Sequence, residues 1–182
     1  VLIALAFMAY ADPYVTVLGP DQNMEAAEHT LEDSHTVLTT GYSAALTTVT
    51  ESGAGNALNL NLDYTAETGI GWLTQVVTPT AWIYDPQSQG ELIDLNFQGA
   101  FNATGGVTVS MAAIQDGTAY WSHPHEVREI VDTVAYERVV FQRVVASDFK
   151  ALDGSGHSPD FKPSGAPITF GYAVRRGDAG TG

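Results

Sequence analysis

Short runs in which apolar and polar residues alternate with a period of two constrain this chain more than any other feature. Leu58, Leu60 and Leu62 alternate with Asn59, Asn61 and Asp63. Ile93, Leu95, Phe97 and Phe101 are set against Asp94, Asn96 and Gln98, and Val107, Val109, Met111 and Ala113 against Thr108, Ser110 and Ala112. Ile168, Phe170, Tyr172 and Val174 are separated by Thr169, Gly171 and Ala173. In extended chain, successive side chains point to opposite faces, so each run presents one apolar face. Residues 85–90, Gly105 with Gly106, and Asp116 with Gly117 punctuate the runs as turns. The Asp-Gly pair suits a tight reversal into an extended Thr118–Trp121. The valines of 138–145 argue for strand over helix. Trp72 to Ile83 reads as extended chain interrupted at Pro79.

About eight such strands cannot bury their apolar faces singly, so two sheets must close over one core. The expected fold class is all-β: a two-sheet antiparallel β-sandwich, jelly-roll-like. The chain has 182 residues, 45% of them hydrophobic, which is enough for a sizeable core in one domain, expected over residues 12–182. One stretch departs from this pattern. Met24, Ala27, Leu31 and Leu38 recur at helix-compatible spacing behind Asp21 as an N-cap, which predicts a short helix. The threonines that follow offer the alternative of a segment crossing the end of the sandwich. Residues 1–11 form an apolar run ending in the small-x-small pattern Ala9, Tyr10, Ala11, read as the remnant of an export signal. A buried first strand is the alternative, and the run is too short for a membrane span. Export places the expected domain outside the cytoplasm: extracellular, at the cell surface or periplasmic.

Charge narrows the partners. The chain carries 21 acidic and 7 basic residues, a formal charge of -14, and every basic residue lies at Arg128 or later. A nucleic-acid surface needs clustered Lys and Arg, so no nucleic-acid partner is expected. The acidic field also repels anionic membranes. With no cysteine, disulfide stapling and thiolate catalysis are excluded.

The order of motifs in residues 84–174 is similar to that of a largely uncharacterised exported bacterial β-sandwich domain, itself resembling lectin-like and carbohydrate-binding jelly rolls. The resemblance rests on Tyr84, Asp85 and Pro86 with Gly90, on the strand 93–97, and on Ile114 to Gly117 with Tyr120. It continues through 146–149 and 159–161 to the closing run 165–172. It implies fold and export, and no catalytic residue.

Sugar recognition needs flat aromatic faces against C–H surfaces, with amides and carboxylates fixed toward hydroxyls. Trp72, Trp82, Trp121 and Tyr84 are the candidate stacking groups. Asn59, Asn61, Asp94 and Asn96 are the candidate hydrogen-bonding groups, and they form one platform if their strands are neighbours. The expected function is a noncatalytic exported module that binds glycans or a surface polymer, with a purely structural cell-surface domain as the alternative. A glycoside-processing enzyme is the second alternative, but the carboxylates have no diagnostic pairing in sequence. Asp148, Asp153 and Asp160, in a glycine-bearing loop, are candidate Ca2+ ligands, with turn capping through neighbouring backbone amides as the favoured alternative. His123 and His125 supply two imidazoles without a third zinc ligand, and read as a surface loop.

Overall fold

A computed structural model describes residues 2–7, 29–36, 42–51, 55–64, 72–102, 107–122, 128–130 and 137–177. In chain order the elements are β1 (Leu2–Phe7), β2 (His29–Thr36), β3 (Tyr42–Glu51), β4 (Gly55–Tyr64), β5 (Trp72–Pro79) and β6 (Ile83–Tyr84). A single helical turn α1 (Pro86–Gln89) follows, then β7 (Leu95–Asn102), β8 (Val107–Gln115), β9 (Thr118–Ser122), β10 (Arg128–Ile130), β11 (Glu137–Val144), β12 (Phe149–Ala151) and β13 (Ile168–Gly177). They form two antiparallel sheets. Five strands run in the order β11-β7-β1-β4-β3. The other sheet follows β12-β9-β8-β13-β5-β2, with β10 added beside β8 and β6 beside β13. The Asp116–Gly117 turn joins β8 to β9 as expected, with both residues at positive φ.

The alternating runs supply the interior. Leu58, Leu60, Leu95, Phe97, Phe101, Val139, Phe141 and Val144 of the five-stranded sheet join Val77, Val107, Val109, Met111, Ala113, Ile168, Phe170, Tyr172 and Val174 in one buried cluster. Phe97 stacks on Phe141 with ring centroids 5.7 Å apart, and Phe101 meets Tyr172 edge-on at 5.8 Å, a contact that bridges the two sheets. Removing such a side chain from water stabilises by about 1.5–3 kcal/mol. Phe161, from the loop before β13, fills the remaining end between Phe149 and Phe170.

Three expectations change. The helix expected from residue 21 gives way over 29–36 to β2, which pairs with β5 from His29↔Pro79 to Thr36↔Trp72. Thr30 and Thr78 share a hydroxyl hydrogen bond of 2.7 Å across that pair. Helical spacing carried by a few residues loses to a full cross-strand ladder. Ile93 does not share the core face of Leu95: it precedes β7 and is 63% exposed. On β8 the polar side is also covered, since Ser110 and Ala112 are buried as fully as Val109. The N-terminal apolar run contains β1, which lies between β7 and β4 in six register pairs with β7, from Leu2↔Asn102 to Phe7↔Phe97. The turn expected at 105–106 and the histidines at 123 and 125 lie outside the described residues.

Candidate functional site

The structure does not assemble the expected platform. Trp82 and Tyr84 are buried at 3% and 5% exposure and offer no face to a sugar. Trp82 sits in the turn between β5 and β6, where its N–H donates to Pro79 O (3.1 Å) and its carbonyl accepts from Phe170 N–H (2.8 Å); a tight turn against β13 drives the indole inward. The Tyr84 hydroxyl donates to the Gly90 and Gln89 carbonyls at 3.1 and 3.3 Å, closing the C-terminal end of α1. Burial, and then the charge of Asp85, push the Tyr84 phenol up.

The amide-rich strands belong to one sheet, but they are not neighbours. β1 stands between β4 and β7, with Leu2 in register with both Asn59 and Asn102. Two strand spacings, about 9.6 Å, therefore separate the Asn59 and Asn61 strand from that of Asn96. Asn96 and Asp94 are also engaged locally. Between Phe141↔Phe97 and Val144↔Leu95, β11 has two residues opposite the one residue Asn96, which defines a β-bulge. The Asn96 Oδ1 accepts the Arg143 N–H at 3.0 Å, while Arg143 adopts φ 56°, the left-handed region. Asp94 lies 4.0 Å from the exposed Arg143 guanidinium. These groups shape the sheet edge.

The three aspartates of the calcium hypothesis cap turns. Asp148 Oδ2 accepts Val145 N–H (2.9 Å) and Asp153 Oδ1 accepts Ser155 N–H (2.8 Å). Asp160 accepts from Lys162 N–H (3.0 Å) and the Ser164 hydroxyl (3.1 Å). Hydrogen bonds from Ser155 hold the Asp153 carboxyl below its usual range. Among the described residues, no three His, Asp or Glu side chains gather as a metal site.

Trp121 is different. It pairs with Ala112 on one side and Lys150 on the other, and alternates with the buried Tyr120 and Ser122, so it stands on the outer face of the eight-stranded sheet. There it packs, half-buried, against the small group Val76, Ala112 and Ala173. Small residues on this face leave room for an indole above the strands. The Arg175 guanidinium carbon lies 4.7 Å from the ring centroid, a cation–π contact. Burial draws the Arg175 guanidinium down from its usual range. The aromatic and amide groups expected to act together are thus on different sheets. Of Trp72, the structure describes the backbone, paired with Thr36 and Gly177. Lys150 and Arg175 were missed from sequence because they reach Trp121 only through strand pairing.

Fold and site together define an all-β, two-sheet antiparallel sandwich that carries the Trp121–Arg175 contact on an outer face. No family model, curated protein or solved structure matches the chain. Among the described residues, no helix is long and apolar enough to cross a membrane.

Proposed function

We propose that this is an exported module that binds a glycan or surface polymer without transforming it, and that Trp121 is its stacking group. The observation that carries the reading is the half-buried indole on an outer sheet face, fixed in orientation by Ala112, Ala173 and Arg175. A ring held in this way loses little conformational freedom when a sugar packs on it. The sandwich architecture and the motif order of residues 84–174 add support, since lectin-like jelly rolls bind on such surfaces.

A glycan array, run with and without EDTA, tests the reading and separates sugar recognition from calcium dependence. Binding that disappears in Trp121→Ala while the circular dichroism spectrum and melting temperature hold is the expected result. An array with no bound glycan, or equal binding by the variant, overturns it. The structural cell-surface reading is favoured by a specific observation: Trp82, Tyr84 and Asn96 all serve packing or backbone hydrogen bonding.

A further inference from the structure

We propose that two copies of this chain join edge to edge through β3, as an antiparallel strand pair about a two-fold axis. Among the described residues, four strands end the two sheets: β11 and β3 in one, β12 and β2 in the other. The outer side of an edge strand is a row of backbone N–H and C=O groups, which templates a further strand unless something blocks it.

Three of these edges are blocked. β11 breaks its ladder at the bulge opposite Asn96, where Arg143 takes left-handed backbone. β12 is three residues long, too short to hold a partner strand. β2 carries Glu32 and Asp33 at its middle. When two identical strands pair about a two-fold axis normal to the sheet, matching faces coincide only if the paired residue numbers sum to an even number. For β2 the two central registers set Glu32 against its own copy or Asp33 against its own copy. Like charges placed directly opposite destabilise the pair.

β3 carries none of these blocks. It pairs with β4 in ten unbroken register positions, from Tyr42↔Tyr64 to Glu51↔Gly55. The strand contains no proline, lysine or arginine, and its single charge is Glu51 at the end. Ala45, Thr47 and Thr48 are exposed, and Leu46 lies half-buried against the core. Its two central registers set Leu46 or Thr47 against its own copy. In both, the two Glu51 stand at least eight residues apart, about 27 Å along the strand and about three Debye lengths in 0.15 M salt. In a chain of net charge -14, β3 is therefore the unbroken edge along which two copies meet without opposed carboxylates. The pairing joins two five-stranded sheets and covers Leu46 on each copy. A two-fold contact uses the same edge of both copies, so assembly stops at the dimer. The proposal is independent of the Trp121 reading, which concerns the other sheet.

Sedimentation velocity of the whole protein in 0.15 M salt, from about 1 to about 100 μM, tests it. Expected is a monomer–dimer equilibrium that ends at the dimer. Ala45→Lys combined with Thr47→Lys sets like charges opposite one another in either register. It is expected to weaken the dimer at least about tenfold while urea unfolding stays cooperative. The chain has no cysteine, so Leu46→Cys and Thr47→Cys, tested singly, report the two registers by disulfide cross-linking under mild oxidant. Ser155→Cys, in an exposed loop, is the control. A wild type that stays monomeric throughout, or that grows beyond the dimer, overturns the proposal. So does a dimer that the lysine substitutions leave unweakened, or cross-linking at 46 and 47 no faster than at 155. Should the lysine variant fail to fold, the cross-linking comparison decides.

Discussion

Gln115 holds Asp160 through both halves of its amide: Nε2 donates to the Asp160 carbonyl (2.9 Å) and Oε1 accepts the Asp160 N–H (2.7 Å). Nε2 also donates to the Ala166 carbonyl at 2.8 Å. A side chain at the end of β8, only 5% exposed, thus ties down the long loop that carries Phe161 into the core. Gly165 completes the joint, since a Cβ there would collide with the Asp160 carbonyl oxygen.

Gln115→Ala is accordingly expected to cost about 2–4 kcal/mol, because it leaves partly buried backbone groups without partners as well as deleting three hydrogen bonds. Urea unfolding measures the loss. Amide exchange should rise first at residues 153–167. A change below about 0.5 kcal/mol would show that the loop does not depend on this joint.

The alternation at Leu95–Phe101, Val107–Ala113 and Ile168–Val174 made the fold legible, because side-chain direction in a strand depends only on backbone parity. Which strands pair is decided by long-range closure, and no local signal reports it. The position of β1 between β4 and β7, where it divides the amide platform, is therefore set by closure and not by the local sequence. The same limit hid the site. Trp121, Lys150 and Arg175 become neighbours only once β9, β8 and β13 are laid side by side. Trp82, a candidate stacking group within an extended run, is buried for a different reason: the turn that carries it folds onto β13. The turn roles of Asp153 and Asp160 are readable, since Asp commonly accepts the N–H two residues on and closes its own turn, whereas Asp148 bonds back to the Val145 N–H.

Asn96 and Arg143 give a paired prediction at the bulge. Asn96→Ala removes the acceptor for the extra N–H of β11 and should destabilise by about 1 kcal/mol. Asp94→Asn should change stability by less than about 0.5 kcal/mol, because the ion pair is long and its guanidinium is exposed. Arg143→Gly should be neutral to stabilising, since it relieves a left-handed backbone at a non-glycine residue at the cost of extra unfolded-state freedom. Chemical denaturation of the three variants distinguishes a bulge held by Asn96 from one held by the ion pair.

Tyr84 sets an alkaline limit. Its phenol is raised on folding, by burial first and Asp85 second, so the neutral form is the one the folded state prefers. The stability this contributes is whole below the ordinary phenol value near 10.0 and is lost as pH rises through the higher folded value. Tyr84→Phe should lower stability at pH 7 by about 1 kcal/mol through the lost bonds to Gln89 and Gly90. It should also flatten the fall in melting temperature between about pH 10 and 12. Phenolate absorbance followed against pH would contradict this if the wild type and variant differed by a group titrating below pH 10.

Gln75 offers the converse of Gln115. It stands on β5 opposite Val174, in register with the inward face of β13, and is fully buried. Among the described residues, neither its Oε1 nor its Nε2 has a hydrogen-bond partner. Burying an unpaired amide costs about 1–3 kcal/mol, and Met, of nearly the same length, removes that cost while keeping the volume. Gln75→Met is therefore expected to stabilise by about 1–2 kcal/mol, raising the midpoint of urea unfolding with an unchanged slope. Destabilisation of the same size would mean that the amide is satisfied in solution by a trapped water, which a crystal structure of the wild type would reveal beside Val174.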